Sequence, residues 1–410
     1  MTATNVERSE LDALAAGLTT LAVTGTNGKT STTSMIASIV RAAGEPAARV
    51  TTLGMWVGDE QIAHDSSMAS FVRTVRRARE AGARSLALEV TSRALEAGFA
   101  ARWPAHVAVF TNLTHDHLDR HGTPERYLAA KAQLFVGLRP RGVAVLNAAD
   151  PASALLAEVS PQHTRHSGFL AHPRAQNLAH VPIALSAARC ACDLHGIRIE
   201  LAPSALATEL GGRLELRVLG AFQVDNALGA AVAASAAGYS AEAIRRGLRE
   251  FEGVPGRFEV CSRKPLVLVD FAHTPDALAR ALASTRALVH EGGRLGCVFG
   301  CGGERDRDKR SRMGEVADRL ADVVWLTTDN PRSESPAEIA TAVRAGARAC
   351  ATWHDAPARR AAIAAALGWA GNRDVLLIAG RGAETHQELA GGRVPFLDAQ
   401  VVRELLQEGH

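Results

Sequence analysis

The segment LAVTGTNGKTSTT, from Leu21 to Thr33, decides the fold because it predicts a strand, a glycine-containing loop and a helix in succession. Leu21–Val23 is typical of the end of a buried strand, and Met35–Val40 continues as an apolar helix. Gly25 and Gly28 permit a tight loop with exposed backbone N–H groups. Because this loop would lie at the positive end of a helix, the segment predicts a phosphate-binding loop.

Side chains of the same loop supply further groups that bind a nucleotide. Lys29 would reach the terminal phosphates, and a hydroxyl of Thr30 or Ser31 would bind Mg²⁺. Val23 stands where the common G-x-x-x-x-G-K-[ST] loop has glycine, and an ordinary strand–helix turn is the alternative. The order of glycine, lysine and hydroxyl residues favours the phosphate loop. Its predicted nucleotide-binding residues are Gly25, Thr26, Asn27, Gly28, Lys29, Thr30 and Ser31.

Composition excludes several classes of function. The chain has 410 residues, 47% of them hydrophobic, and a net charge of +3. This length provides for two or three domains, and the mild charge does not predict a nucleic-acid partner. The sequence contains neither an apolar signal segment nor a membrane-spanning apolar run, which predicts a cytoplasmic protein without a membrane partner. The six cysteines show no metal-like spacing and are expected to be free thiols.

Strand and helix patterns alternate after the loop, which predicts a doubly wound, mostly parallel α/β sheet. The predicted strands are 85–90, 107–111 and 142–146, with helices at 70–81 and 124–138 and a lead-in helix at 11–18. Short alternating runs at 197–201 and 214–218 predict an antiparallel flap. Gly253, Pro255 and Gly256 indicate a linker. A second α/β unit, Rossmann-like in pattern, follows with strands at 266–270, 295–300, 323–327 and 375–379 and helices at 275–289 and 309–320. We predict a central nucleotide-binding domain over 1–253 and a closing domain over 254–410.

Polar groups follow the predicted strands, where the active sites of α/β sheets lie. Glu89 ends one strand and is a natural Mg²⁺ ligand, although a strand-end glutamate is more often a surface residue. Residues 111–122 (TNLTHDHLDRHG) carry three histidines and two aspartates, which favours Mg²⁺ with phosphate over zinc. The pattern around Lys131 alone predicts a solvated helix residue. In the second unit, glycines and arginines at 300–307, 329–332 and 380–384 suit close approach to a carboxylate or phosphate.

These motifs resemble the Mur ligases. The residues that carry the resemblance are TGTNGKTST, LEVTS, FTNLTHDHLDRHGT, KAQLF, NAADP, VDFAHTPDAL, FGCGGERDRDKR and DNPRSESP, in order from about residue 20 to residue 390. Within the family, the chain is most similar to the type that adds a diamino acid to a UDP-N-acetylmuramoyl dipeptide. The resemblance implies an ATP-dependent ligase that activates a carboxylate as an acyl phosphate and then joins it to an amine.

The resemblance also implies roles for individual residues. Lys29 and the loop amides would bind the β- and γ-phosphates of ATP, Thr30 and Glu89 one Mg²⁺, and His117 a second Mg²⁺. Lys131 matches a lysine that CO₂ converts to a carbamate in this family, and the carbamate would bind the second Mg²⁺. This replaces the expectation of a solvated lysine. The catalytic residues expected on this basis are Lys29, Glu89, His117 and Lys131.

Other matched positions imply binding roles. Those expected at the nucleotide, besides the loop, are Asn226, Arg257, Asp270 and His273. Those expected at the substrates are Ser92, Arg93, Arg305, Asp329, Asn330, Arg332, Gly380 and Glu384. Asp-Asn-Pro-Arg at 329–332 resembles the form that selects meso-diaminopimelate, with Arg332 on its distal carboxylate.

Three departures from the family pattern concern substrate recognition. Only residues 1–20 precede the first strand, so we expect a naturally short protein without the family's N-terminal UDP-binding domain. The segment Ala63–Met68 replaces a Thr-Thr-Pro substrate loop, and Arg93 and Ala383 replace histidines. We therefore expect an amide ligase that joins an amino acid, of diamino or dicarboxylic type, to a small-molecule carboxylate without UDP in a specialised pathway. A carrier or partner protein would replace the missing domain.

Two alternatives stay open. One is a cell-wall ligase that adds meso-diaminopimelate to the UDP-muramoyl dipeptide. The other is a non-catalytic paralogue that binds nucleotide and regulates a partner, against which the retention of Glu89 and Lys131 argues. A GTPase is a weaker alternative, because the chain contains no Asn-Lys-x-Asp-like base-reading motif.

Overall fold

The computed structural model describes residues 8–114 and 118–409. Within these ranges the fold divides into two compact units. The first contains the chain up to Thr114 and His121–Glu252, and the second contains residues from Gly253 onward with 118–120. Each unit has its own sheet and its own hydrophobic core, as expected for alternating strands and helices that bury their apolar faces on one another.

The first unit is built on one large sheet. Its strands are β1 (Thr19–Thr24), β2 (Ala48–Thr51), β3 (Gly54–Val57), β4 (Glu60–Ala63), β5 (Ser85–Glu89), β6 (Val107–Phe110), β7 (Val143–Asn147), β8 (Arg165–Leu170), β9 (Ile183–Asp193), β10 (Gly196–Leu201) and β11 (Arg213–Leu216). The helices in this part of the chain are α1 (Arg8–Ala15), α2 (Lys29–Ala42), α3 (Met68–Glu80), α4 (Ser92–Glu96), α5 (Phe99–Arg102), α6 (Leu118–His121), α7 (Pro124–Val136), α8 (Ala152–Glu158), α9 (Ala205–Glu209), α10 (Gln223–Ala236) and α11 (Ala241–Glu250).

The sheet is mostly parallel, which confirms the predicted fold class. Among the described residues the strand order is β11-β10-β9-β8-β7-β6-β1-β5-β2-β3-β4. The strands from β9 to β2 in this order run parallel. β10 and β11 add antiparallel strands at one edge, as the alternating runs predict. β3 and β4 add antiparallel strands at the other edge, which the sequence pattern did not indicate.

The predicted loop follows the centre of this sheet. β1 pairs with β5 on one side and β6 on the other, so the loop after it lies among the carboxyl ends of parallel strands. Helix α2 is buried along nearly its whole length, and Ser38 Oγ donates to Gly247 O of α11 at 2.8 Å. A Cβ on Gly247 would lie 2.4 Å from Ile39 Cα, so only glycine permits this close packing. The helix that carries the loop is therefore firmly fixed.

Element ends differ from the predicted ones by up to three residues. The lead-in helix is Arg8–Ala15 instead of 11–18, because Gly17 adopts φ +79° and ends it. The helix predicted at 70–81 is α3, which begins at Met68 because Ser67 Oγ accepts a hydrogen bond from Ser70 N. Both differences arise at helix termini, where capping decides the boundary.

The second unit contains a smaller sheet and a separate hairpin. Its strands are β12 (Glu259–Arg263), β13 (Leu266–Asp270), β14 (Leu295–Phe299), β15 (Val323–Leu326), β16 (Thr352–Asp355), β17 (Val375–Ala379), β18 (His386–Leu389) and β19 (Gly392–Pro395), and its helices are α12 (Pro275–Arg286), α13 (Lys309–Leu320), α14 (Pro336–Arg344), α15 (Arg359–Trp369) and α16 (Asp398–Gln407). In the described residues the sheet order is β12-β13-β17-β14-β15-β16, with β12 antiparallel and the others parallel. β18 and β19 form an antiparallel hairpin. None of the described helices has the length and apolarity needed to span a bilayer.

Candidate active site

The loop after β1 has the conformation of a phosphate cradle. Gly25 and Gly28 have φ +149° and +83°. A Cβ on Gly25 would lie 1.9 Å from Thr111 Oγ1, and one on Gly28 would lie 2.2 Å from Asn226 Oδ1. Neither position accepts a side chain, because the backbone is strained for other residues and the space is filled. The two glycines are required by the geometry, as the sequence predicts.

The segment after β6 fixes the loop from one side. Asn112 Oδ1 accepts a hydrogen bond from Asn27 N at 2.9 Å, and Asn112 O accepts one from Thr26 N at 2.8 Å. Thr111 Oγ1 donates to Asn27 O at 2.6 Å. Lys29 Nζ donates to Thr26 O at 2.8 Å, so its ammonium group lies over the loop itself. The arrangement places a cation and backbone amides at one helix N-terminus, which suits a polyphosphate.

Glu89 lies beside the hydroxyl that the sequence assigns to a metal. Thr30 Oγ1 donates to Glu89 Oε2 at 2.9 Å, and Thr52 N donates to the same oxygen at 3.2 Å. Glu89 is buried at 8% exposure, so it is not the surface residue that a strand-end glutamate usually is. A hydroxyl and a carboxylate in contact are hard oxygen donors, and this donor set fits Mg²⁺. The described residues contain no group of three or more His, Cys, Asp or Glu side chains that could hold a metal by themselves.

Lys131 is buried against the loop, which corrects the interpretation of its local pattern as a solvated residue. It is 1% exposed, and its Nζ donates to Gly25 O at 2.6 Å. Nζ also lies 4.2 Å from the ring centroid of Tyr127, and Tyr127 OH donates to Thr26 Oγ1 at 3.3 Å. The reason is that α7 turns this residue toward β1, so a partner 106 positions away in the chain satisfies the ammonium.

Of the histidines in the 111–122 segment, His117 lies outside the described residues, so its predicted metal role stays a prediction. His121 is buried at 3% exposure, and its Nε2 is 3.0 Å from Ser92 Oγ. Glu96 Oε1 is 3.1 Å from His121 Nδ1, outside the direction of a good hydrogen bond. Sequence reasoning assigned Ser92 to a substrate but missed its contact with His121. Arg93, the next residue, is exposed.

Asn226 is brought to the loop from α10. Its Oδ1 accepts a hydrogen bond from Thr32 Oγ1 at 3.2 Å, and its Nδ2 donates to Gln223 Oε1 at 2.8 Å. Asn226 is 3% exposed and lies against Gly28. Its predicted proximity to the nucleotide loop therefore agrees with the geometry of the first unit.

In the second unit, the side chains of the predicted nucleotide residues Arg257, Asp270 and His273 lie around the end of β13. Asp270 accepts hydrogen bonds from Phe258 N at 2.7 Å and Ala272 N at 2.8 Å. Burial raises the pKa of Asp270 to about 6, although the positive charge of Arg257 and these amides oppose the rise. The Arg257 guanidinium lies 4.3 Å from the ring centroid of Phe271, and His273 Nδ1 is 2.9 Å from Phe271 O.

A second cluster in this unit combines acidic side chains with a buried amide and a buried arginine. Asn330 Nδ2 donates to Glu384 Oε2 at 2.7 Å, and Asn330 Oδ1 accepts from Arg381 Nη1 at 2.7 Å. Asp329 Oδ2 is buried without a hydrogen-bond partner among the described residues, and a Cβ on Gly380 would lie 2.6 Å from it. Burial raises the pKa of Asp329 and of Glu384. A buried acceptor without a donor is chemically suited to an ammonium group.

Arg332 lies at the other end of this cluster. It adopts φ +54°, a conformation that is uncommon outside glycine and that often marks a functional site. Its Nη1 donates to Gly303 O at 2.7 Å, and its Nε is 2.9 Å from Glu388 Oε2. Arg305, assigned to the same substrate, is exposed on the loop after β14. Asp329, Asn330, Arg332 and Glu384, which the resemblance assigns to one substrate, thus lie in one cluster, and their binding role stays a prediction; the sequence did not indicate Glu388.

Two buried arginines hold the residues of this cluster in place through ion pairs and hydrogen bonds. Arg359 makes a bidentate ion pair with Asp398, with both N···O distances 2.7 Å and both side chains fully buried. It also donates to Thr328 O at 3.2 Å and Ala379 O at 3.0 Å. Arg381, likewise buried, donates to His386 O as well as to Asn330. Of these two arginines, the sequence indicated only Arg381, because it lies between two glycines.

One departure from the family pattern has a structural explanation. Asp65, in the segment that replaces the Thr-Thr-Pro loop, accepts hydrogen bonds from Ser67 N and Ser70 Oγ, both at 2.8 Å. These hydrogen bonds, Ser67 first, lower the pKa of Asp65 to about 2. Asp65 therefore fixes the turn that precedes α3, whose N-cap is Ser67. Nothing in the structure explains the alanine at 383.

Comparison with known proteins agrees with the geometry. Residues 23–234 match the Mur ligase middle domain, and residues 256–382 match the Mur ligase, glutamate ligase domain. The UDP-N-acetylmuramoyl-L-alanyl-D-glutamate–2,6-diaminopimelate ligase of Ectopseudomonas mendocina is 41% identical over 94% of this chain and 77% of its own length. The ligase of the same name from Geobacillus kaustophilus is 38% identical over 95% of this chain and 78% of its own.

Solved structures show the same fold. A structure of a UDP-N-acetylmuramoyl-L-alanyl-D-glutamate–2,6-diaminopimelate ligase matches with a TM-score of 0.66 and 33% identity, over 96% of this chain and 79% of that chain. E. coli FolC in complex with DHPP and ADP matches with a TM-score of 0.69 over 98% of this chain and 91% of that chain. At 20% identity the second likeness concerns the fold alone.

Proposed function

Because the chain belongs to the Mur ligase family of ATP-dependent amide-forming ligases, we propose that it joins 2,6-diaminopimelate to the free carboxyl group of a UDP-N-acetylmuramoyl dipeptide. Relatives of about 40% identity across most of this chain carry that activity in their names. They favour this reaction over our first expectation of a carboxylate without UDP. The proposal assigns the chain a pair of substrates as well as a chemical class.

The single observation that carries the amino-acid assignment is the charge pattern of the second unit. Asp329 Oδ2 is buried and lacks a partner among the described residues, and Glu384 lies in the same hydrogen-bonded cluster. Arg332 supplies a cation at the other end of that cluster. Acidic groups suit an ammonium, and a guanidinium suits a carboxylate. A diamino dicarboxylic acid offers both.

The reaction proceeds in two displacements. A carboxylate oxygen of the acceptor attacks the γ-phosphorus of ATP, and ADP leaves with the electron pair of the broken P–O bond. The amine of diaminopimelate then attacks the acyl carbon, phosphate leaves, and the ammonium proton is lost. Phosphoryl transfer depends on positioning and charge stabilisation. Lys29 and the amides of the loop would position the phosphates and stabilise their charge, because hydrogen bonds fix these groups before substrate binds.

The donor set at Thr30 and Glu89 fits a magnesium ion, which would supply neutralisation of the phosphate charge. We further propose that Lys131 carries a carbamate, because its Nζ is buried beside the loop, where an anionic oxygen ligand would be needed. His117 would complete the second metal site. Asn226 in the first unit, and Arg257, Asp270 and His273 in the second, would contact the nucleotide.

A second candidate acceptor, a carboxylate that carries no UDP, rests on two departures from the family pattern. The segment Ala63–Met68 does not resemble the family's substrate loop, and here Asp65 is engaged by Ser67 N and Ser70 Oγ in the turn before α3. Arg93, another departure from the family, is the second residue of α4 and has an exposed side chain. Both differences fall at positions that the resemblance assigns to the acceptor. They favour a changed acceptor with unchanged phosphoryl-transfer groups.

The test is phosphate release from ATP and Mg²⁺, measured with the UDP-muramoyl dipeptide and meso-diaminopimelate present together or singly, with the product mass determined. We expect release only with both substrates, and a product heavier by one diaminopimelate less one water. Lys29→Met is the matched inactive control. Release with meso-diaminopimelate and a different carboxylate would transfer the assignment to the second candidate. Absence of release with every pair would overturn the proposal in favour of a non-catalytic paralogue.

A further inference from the structure

Arg332 is held on one edge of its guanidinium. Nη1 donates to Gly303 O at 2.7 Å, and Nε lies 2.9 Å from Glu388 Oε2. Among the described residues, Nη2 has no hydrogen-bond partner. Arg332 is 23% exposed, so this edge is only partly covered. A guanidinium that is anchored through Nε and one Nη presents its remaining N–H groups in a fixed direction.

Glu388 is itself fixed by contacts of both backbone and side chain. Its N donates to Asn330 Oδ1 at 2.8 Å, and its O accepts from Arg332 N at 3.1 Å. Its Oε1 accepts from Arg393 Nη2 at 2.8 Å across the β18–β19 hairpin. Burial opposes ionisation of Glu388, but Arg393 and Arg332 outweigh it and lower the pKa of this carboxyl. The hairpin therefore places the charged carboxylate of Glu388 beside Arg332.

The charges of Arg332, Arg393 and Glu388 do not cancel, so one positive charge remains for a ligand to neutralise. Arg332 and Arg393 are cationic and Glu388 is anionic, so the three side chains sum to one positive charge. Arg393 is 73% exposed, and water screens its charge. The less exposed Arg332 is therefore the site where a ligand carboxylate gains most. Fixing a long side chain before binding removes part of the entropy cost of binding.

We propose that Glu388 is a positioning residue, which orients Arg332 for the distal carboxylate of the amino-acid substrate. It thereby sets the preference for a diamino dicarboxylic acid over a diamino monocarboxylic acid. This inference rests on the proposed function, because it needs an amino-acid substrate in this pocket. It adds a residue on the hairpin that the motifs of the family resemblance do not include.

The test compares steady-state KM and kcat for meso-diaminopimelate and for lysine, which lacks the distal carboxylate. Glu388→Leu removes the acceptor for Nε at similar volume. We expect its KM for meso-diaminopimelate to rise about tenfold, as for loss of one charge-assisted contact, with its KM for lysine and for ATP unchanged. The preference for meso-diaminopimelate would fall by the same factor. Glu388→Gln should restore part of it, because its amide oxygen can accept from Nε.

Two further variants separate positioning from simple structural damage. Arg393→Gln removes the exposed partner of Glu388 and should leave both KM values within about twofold, because exposed ion pairs contribute little. In an Arg332→Gln background, Glu388→Leu should cause no further loss of preference, because Glu388 acts through Arg332. A full additional loss in that background, or an equal rise in KM for both amino acids, would overturn the inference. A wild-type chain without diaminopimelate-dependent phosphate release would instead overturn the proposed function.

Discussion

Replacement of Arg359 by methionine is expected to destabilise the second unit strongly. The change leaves Asp398 fully buried without the cation that lies 2.7 Å away in the parent chain. Removing one partner of a buried ion pair costs about 3–5 kcal/mol. The carbonyls of Thr328 and Ala379 also lose a donor, at about 1 kcal/mol each. We therefore expect the free energy of unfolding to fall by at least about 4 kcal/mol.

The same variant should impair amino-acid binding, because of where the two carbonyls lie. Thr328 precedes Asp329, and Ala379 precedes Gly380. Arg359 thus connects the two segments that carry Asp329 and Gly380 in the buried cluster. Where Arg359→Met still folds, its KM for the amino acid should rise while its KM for ATP stays near that of the parent chain.

Urea unfolding followed by tryptophan fluorescence measures the effect, because Trp325, Trp353 and Trp369 lie in the second unit. Arg360→Met is the matched control, because its pairs with Glu404 and Glu408 are exposed and exposed ion pairs contribute little to stability.

Replacing both members of the buried pair, as Arg359→Met with Asp398→Leu, removes the uncompensated charge and should recover most of the loss. If Arg359→Met unfolds at the same urea concentration as Arg360→Met, the assignment of a structural role to the buried pair is refuted.

Two other predictions concern catalysis and acid stability. Lys131→Ala should abolish phosphate release, and short carboxylates in the buffer should restore part of it by replacing the carbamate; full activity without them would contradict a carbamate at this position. Burial opposes ionisation of Asp318, but hydrogen bonds from the Trp353 indole and from three backbone amides outweigh it and lower its pKa to about 2. Because the folded-state pKa lies below the unfolded value, the stabilisation is present above about pH 4 and is lost as the pH falls toward 2. Asp318→Asn should remove this dependence from acid-unfolding curves, and an unchanged slope would show that other carboxylates cause it.

The parts of the fold that sequence predicted are those with a local physical cause. The β1–loop–α2 segment has glycines that the backbone angles require, followed by a continuous apolar helix. β13 and β17 are short apolar runs buried along nearly their whole length. The antiparallel strands β3 and β4 were missed because each has only four residues, too few to establish a period.

The local sequence pattern could not predict the burial of two charged side chains, because their partners are distant in the chain. The burial of Lys131 depends on Gly25 O, and that of Arg359 on Asp398, which is 39 positions away. Charge in a local pattern normally indicates solvent exposure, because an unpaired buried charge is costly. Only the folded chain shows where the compensating group lies. Family resemblance supplied this information for Lys131 but not for Glu388, whose contact follows from the hairpin.

The residues that depart from the family pattern are different from the residues that we propose for phosphoryl transfer and amino-acid binding. Glu89 and Lys131 lie at the loop of the first unit, and the cluster that we propose for the amino acid lies within the second. The segment Ala63–Met68 and Arg93 touch neither group in these contacts. A change of acceptor would then leave the KM values for ATP and amino acid intact, whereas a loss of catalysis would not. Arg93→His should therefore change the KM for the carboxylate and leave kcat unchanged. A fall in kcat with every carboxylate would show that this position belongs to the phosphoryl-transfer site.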